Sequence, residues 1–117
     1  MTPQEIFDTV KDHLSGMKYR SYFNGTCRYR GRNGAKCAVG CLIPDAVYNV
    51  KMETKVVSQL ILDDLGSVLP PFFAQNRQLL TDLQTVHDIS KNWEPDVGLN
   101  EAGFAALCEV ASRNDLN

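Results

Sequence analysis

A chain of 117 residues, 44% hydrophobic and 22% charged, has the make-up of one soluble globular domain spanning 1–117. It is long enough to bury about two-thirds of its unfolded surface without a disulfide or metal, and no apolar run approaches the roughly 20 residues of a membrane span. The net charge of −2 divides unevenly: six bases and no acid between His13 and Pro44, six bases and fourteen acids elsewhere, or +6 against −8. Such asymmetry bears on partners rather than fold. It predicts one positive face on an acidic body, offered to an anion without indiscriminate nucleic-acid binding.

Thr2-Pro3-Gln4-Glu5 reads as a helix start, with Thr2 as cap, Pro3 at N1 and Glu5 completing a capping box. Ile6, Phe7, Val10, Leu14 and Met17 follow at helical spacing, so a helix is predicted over 3–15 with His13 near its C-terminal turn. Acids in the first turns and no h-region predict neither a signal nor a transit peptide, hence a cytoplasmic protein with reduced thiols. Residues 18–25 read as a loop with Tyr19, Tyr22 and Phe23, closed by the turn signal Asn24-Gly25. Phe23 is expected to pack. Tyr19 and Tyr22 could either pack or stack on bases.

Thr26–Gly31 and Ala35–Gly40 are β-capable runs around Asn33-Gly34, a dipeptide that favours a two-residue hairpin because type I′ needs positive φ twice. That register sets Arg30 against Cys37 and gathers Arg28, Arg30 and Arg32 on one face, Cys27, Tyr29, Ala38 and Gly40 on the other. Pro44 stops the ladder. A second helix is expected from Glu53 or Thr54, with Val56, Val57, Leu60, Ile61 and Leu65 inside and Gly66 past its end. A third runs from Phe72 to Ser90 and a fourth from the cap Asn100 to Asn114, with Phe104, Leu107, Cys108 and Ala111 inward. Trp93, between them, is expected in the core. The class predicted is α+β, with about four helices packed around one β-hairpin.

Three groups of residues could carry chemistry. Arg28, Arg30 and Arg32, completed by Lys36 and Arg20, could cradle a phosphate or carboxylate; the alternative is a solvated or ion-paired hairpin face. Cys27, Cys37 and Cys41 give C-x9-C-x3-C, poor spacing for zinc, and buried structural thiols are expected. Gln84, His87 and Asp88 share one face of the third helix and could read a ribose or base; the alternative is a satisfied core histidine. No P-loop, G-x-S-x-G, H-E-x-x-H or Rossmann turn is present, and Asp63-Asp64 is expected in water at a helix end. No catalytic residue, metal or cofactor is assigned.

The run Cys27 to Asp45, C-R-Y-R-G-x-N-G-x-K-C-A-V-G-C-L-I-P-D, resembles a family of small proteins encoded by tailed phages and prophages, as do L-Q-T-V-H-D at 83–88 and the opening T-P-Q-E-I-F-D. The resemblance implies an accessory protein expressed in a bacterial host. Such proteins often bind and inhibit host factors, including defence systems and their nucleotide messengers. It carries over no residue roles.

A non-enzymatic binding protein is therefore expected, holding an anionic partner, either a nucleotide-like small molecule or an acidic host-protein surface, on the arginine face. Direct nucleic-acid binding is the first alternative, disfavoured by the pI near 5.6. A small hydrolase or transferase using His87 and Asp88 is the second.

Overall fold

The computed structural model describes residues 1–117, with the side chains of all but Asp64 and Leu65; the expected inward Leu65 and solvated Asp64 lie outside the described side chains. Helix α1 spans Pro3–Ser15. Its capping box is complete: the Thr2 hydroxyl accepts the Glu5 N–H at 3.1 Å, and the Glu5 carboxylate accepts the Thr2 N–H at 2.9 Å. Ile6, Phe7, Val10 and Leu14 are buried on its inner face.

Two small hairpins, rather than one larger one, accompany the helices. Strands β1 (Tyr22–Phe23) and β2 (Thr26–Cys27) pair antiparallel around Asn24-Gly25, whose φ angles of 50° and 83° are both positive. The Arg28 N–H extends this pairing to the Ser21 carbonyl at 2.8 Å. The turn expected at Asn33-Gly34 is also present, with φ of 55° and 76° and the Ala35 N–H on the Arg32 carbonyl at 3.0 Å. The ladder expected around it does not form. The Ala35 carbonyl accepts from Gly31 instead of Arg32, so two residues oppose one, as in a β-bulge. Register slips by one, the bridge joins Arg30 to Lys36 rather than Cys37, and Arg28, Arg30 and Arg32 lose their common face.

The remaining helices are more broken than the apolar spacing predicts. Asn49 caps a 3-10 turn over Val50–Thr54, Lys55 and Val56 are extended, and α2 covers only Val57–Leu62. Val56, expected inside, is exposed. After a 3-10 turn over Asp64–Val68, the expected third helix is two, α3 (Phe72–Gln75) and α4 (Arg77–Asp88). They break at Asn76, whose carboxamide donates to the Phe72 carbonyl at 2.9 Å and so competes with the backbone ladder. Strands β3 (Trp93–Glu94) and β4 (Gly98–Leu99) form the second hairpin. Helix α5 (Glu101–Arg113) starts at the cap Asn100, which accepts the Gly103 N–H. Its buried face is Gly103, Leu107, Val110 and Ala111; Phe104 and Cys108 point outward. The face is rotated because Gly103 lies against the Asn92 carbonyl, where a Cβ would stand 2.6 Å from the oxygen.

The architecture is α+β, as expected. One hydrophobic cluster joins α1, α2, α4 and α5 with Cys37, Ala38 and Val39. The radius of gyration is 13.3 Å, against about 13.4 Å for a compact chain of this length. Among the described residues no helix is long and apolar enough to cross a membrane.

Gly40 opens a buried 3-10 turn, Gly40–Leu42, that lies directly on the hairpin segment: a Cβ there would meet the Tyr29 carbonyl oxygen at 1.9 Å. Neither partner is the end of a flexible side chain, so backbone must move. Gly40→Ala is expected to lower the free energy of unfolding by on the order of 3 kcal/mol, measured by urea denaturation; a loss under about 0.5 kcal/mol, the range of a neutral surface change, would refute the close packing.

Candidate functional site

Helix α4 ends in a polar knot. Its last carbonyls have no helical partner, and three side chains satisfy them: Asn92 Nδ2 donates to Val86 O at 3.0 Å, Trp93 Nε1 to His87 O at 2.9 Å and Arg20 Nη1 to Asp88 O at 2.9 Å. The His87 side chain, fully buried, adds a fourth tie. Its Nε2 accepts the Ser21 N–H at 2.9 Å, so in the neutral ring Nδ1 carries the proton and donates to Asp88 Oδ1 at 2.8 Å. Trp93 meets the imidazole edge-on at 5.7 Å, with its own ring nearly buried. Gln84 completes the knot, donating to Asp88 Oδ1 at 2.8 Å and accepting the Val39 N–H at 3.0 Å. The sequence grouped Gln84, His87 and Asp88 as possible ligand contacts. The structure brings them together, but both nitrogens of His87 are used internally, the ring is buried and it does not line the large groove, so it does not face a nucleotide bound there.

A second node sits at Glu53. Its carboxylate accepts the N–H groups of Tyr29 at 2.9 Å and Arg30 at 3.0 Å and the Tyr48 hydroxyl at 2.6 Å, with Arg28 at 3.9 Å. Two successive N–H groups aimed at one anion form a nest, another reason the segment is not regular strand. Arg30 turns inward, donating to Ile43 O at 2.8 Å, pairing with Asp45 at 2.8 Å and stacking on Tyr48 at 4.4 Å. Lys36 lies 3.6 Å from the same Asp45 carboxylate. The arginine face expected from alternation is thus dismantled: Arg28 and Arg30 are structural, held by acids distant in sequence. Arg32 lies over Phe23 at 4.2 Å and Arg20 over Tyr22 at 4.6 Å.

The other four cations of the basic segment meet at an open groove of about 900 Å³. Its walls are the C-terminal turn of α1, residues 18–22, the bulged loop 32–36 and residues 90–95. His13 Nε2 donates to Lys36 O at 2.6 Å and ties two walls together. Lys18, Arg20, Arg32 and Lys36 line the groove with Tyr19, Tyr22 and Trp93, and Glu94 is the single acid in the lining. Among the described residues no carboxylate stands in ion-pair range of Lys18, Arg20 or Arg32. Tyr19 and Tyr22 are half-exposed; Tyr19 donates its hydroxyl to Asp96, and that hydrogen bond raises its pKa. Of the residues singled out in the sequence, Tyr19, Arg20, Tyr22, Arg32 and Lys36 share this groove. Gln84, Asp88 and Arg28 line a smaller cavity of about 230 Å³ instead. Lys18, Trp93, Glu94 and the loop 90–95 were missed, because nothing in the sequence sets residues 90–95 beside residues 18–36.

The cysteines do not assemble into the C-x9-C-x3-C site. Cys37 is buried, its Sγ accepting the Gly40 N–H at 3.2 Å, and Cys41 donates to Ala38 O at 3.1 Å. Cys27 stands apart, beside Asp88 and 3.4 Å from Arg20 Nη1. Burial pushes the Cys27 and Cys41 thiols from 9.0 up to about 11. No protein-family model, curated protein or solved structure matches this chain.

Two outcomes are expected. His87→Ala opens a cavity and strands the Ser21 N–H, and should cost about 3 kcal/mol of stability by denaturant titration; an effect below about 1 kcal/mol would mean that the imidazole does not bridge loop and helix. Thiols with pKa near 11 are only about 0.1% ionised at pH 8. Iodoacetamide at that pH should therefore label exposed Cys108 well before Cys27 and Cys41, whose rates should rise about tenfold per pH unit up to pH 10. Early labelling of Cys27 by peptide mass mapping would contradict its protonated, shielded state.

Proposed function

We propose that the protein is a non-enzymatic, phage-type accessory protein that binds a nucleotide-like anion in the large groove, removing it from use by the bacterial host's defence. One observation carries this reading: Lys18, Arg20, Arg32 and Lys36 line one concave surface with Tyr19, Tyr22 and Trp93. Guanidinium and ammonium groups suit phosphate oxygens, and the exposed rings of Tyr19 and Tyr22 supply faces for a base. About 900 Å³ falls within the roughly 300–1,000 Å³ of small-molecule sites. Concavity favours a small ligand over an acidic protein surface, which the sequence alone left open. The acidic remainder of the chain disfavours a long nucleic acid, which would be repelled beyond the groove. The hydrolase reading loses its support, since His87 is sealed in the core. The phage context and the defence role come from the sequence resemblance.

Arg32 and Lys36 are the cations to remove, because both line the groove and neither holds a helix end or Glu53. Isothermal titration with a panel of mono- and dinucleotides is expected to find a ligand. Arg32→Ala plus Lys36→Ala should weaken it at least about 30-fold, the loss of charge-assisted contacts of about 2 kcal/mol, with the unfolding transition unchanged. Arg28→Ala should act on stability more than on affinity. Equal affinity in the double variant, or no binding by any nucleotide at moderate salt, would overturn the assignment.

A further inference from the structure

The smaller cavity, about 230 Å³, opens beside a cluster the groove does not use. Cys27 on β2 and His87 and Asp88 at the end of α4 each present a ligand atom, and these atoms lie within 4.8 Å of one another. Protons now hold them together. His87 Nδ1–H points at Asp88 Oδ1, and the Cys27 thiol stands against the same carboxylate. Thiolate, imidazole and carboxylate are the donors zinc takes, and three protein ligands with one open position is the arrangement of its non-structural sites. The cavity borders both Cys27 and Asp88 and supplies room for a fourth ligand. A second feature points the same way: the Ser21 hydroxyl is buried and has no hydrogen-bond partner.

We propose that Cys27 Sγ, His87 Nδ1 and an Asp88 carboxylate oxygen bind one zinc-class divalent cation, with water from the small cavity in the fourth position. On binding, the thiol proton leaves to solvent and the ring proton moves from Nδ1 to Nε2. Nε2 then becomes a donor and can no longer accept the Ser21 N–H. The orphaned Ser21 Oγ belongs to the residue whose nitrogen is already 2.9 Å from Nε2, and is the acceptor assigned to the new N–H. A metal-bound histidine ordinarily makes such an outer contact, which fixes its tautomer. Arg20 Nη1, 3.4 Å from Sγ, stays as a donor that a thiolate accepts better than a thiol does. The cluster would then cross-link β2 to α4.

The test is metal alone on the intact chain. After treatment with a chelator, the protein is titrated with Zn²⁺ against a chromophoric competitor and with Co²⁺ by absorption. One zinc per chain and a thiolate-to-cobalt charge-transfer band are expected. Ser21→Ala should weaken zinc by about 10–100-fold while keeping one site, as outer-contact changes do, and Cys27→Ser should lose the band. A double variant, Cys41→Ser plus Cys108→Ser, should keep both stoichiometry and band, which keeps the proposal testable if Cys27→Ser does not fold. No stoichiometric zinc in the unaltered protein, a band that survives Cys27→Ser, or a band lost in the double variant would each overturn the site.

Discussion

The His87 imidazole, buried between the end of α4 and the loop before β1, is the contact on which the arrangement of the large groove depends. It accepts from Ser21 on one side and donates to Asp88 on the other. Its own carbonyl receives the Trp93 indole N–H. Ser21 lies between Arg20 and Tyr22, so one ring sets the position of two groove walls, residues 18–22 and the start of β3. A buried polar group must be fully partnered to be tolerated, and this one is, through the neighbouring Asp88 carboxylate and the sequence-distant Ser21 N–H. The price is a wholly internal histidine, and with it any direct chemistry at the groove.

Charge in the +6 segment is redistributed by folding rather than displayed. Glu53 and Asp45, from beyond the segment, draw in Arg28, Arg30 and Lys36. The two acids differ in weight. Glu53 is nearly buried and accepts two backbone N–H groups and a tyrosine hydroxyl, so it organises the chain around it. Asp45 is 81% exposed, and an ion pair there contributes only about 0–1 kcal/mol. Lys36 is therefore held loosely, whereas the Arg28 side chain is paired with Glu53 and the Arg30 side chain also donates to the Ile43 carbonyl and stacks on Tyr48.

What the sequence revealed followed from local rules. The capping box at Thr2, the apolar stripe of α1, the Asn100 cap and the Asn33-Gly34 turn each depend on neighbours within four residues, and each is found where it was expected. Failures came where a distant partner decided, or where a side chain competed with the backbone for a carbonyl. One extra residue at Gly31 shifted the register and scattered the arginines, and no local pattern announces a bulge. The third helix broke because the Asn76 side chain took a carbonyl that periodicity reserves for the backbone. The outward turn of Phe104 was decided by the contact of Gly103 with Asn92. Half of the groove was legible as a basic, aromatic segment. The other half, residues 90–95, arrives through the His87 and Trp93 contacts, and nothing local to the sequence encodes it.

Arg20 separates the two sites physically and explains their different chemistry. Its guanidinium lies over Tyr22, within the groove lining, yet its hydrogen bonds go to the Asp88 carbonyl and the Cys27 sulfur. A charge already committed to a helix end can add to the positive potential of the groove but cannot also grip a phosphate bidentately without releasing that end. Arg32, Lys18 and Lys36 line the groove without capping a helix end, while Arg20 donates to the Cys27 sulfur and the Asp88 carbonyl behind the wall. The segment that reads as one basic, cysteine-rich stretch in sequence is resolved in space into cations that line the groove and thiols held by internal contacts, with Arg20 touching both.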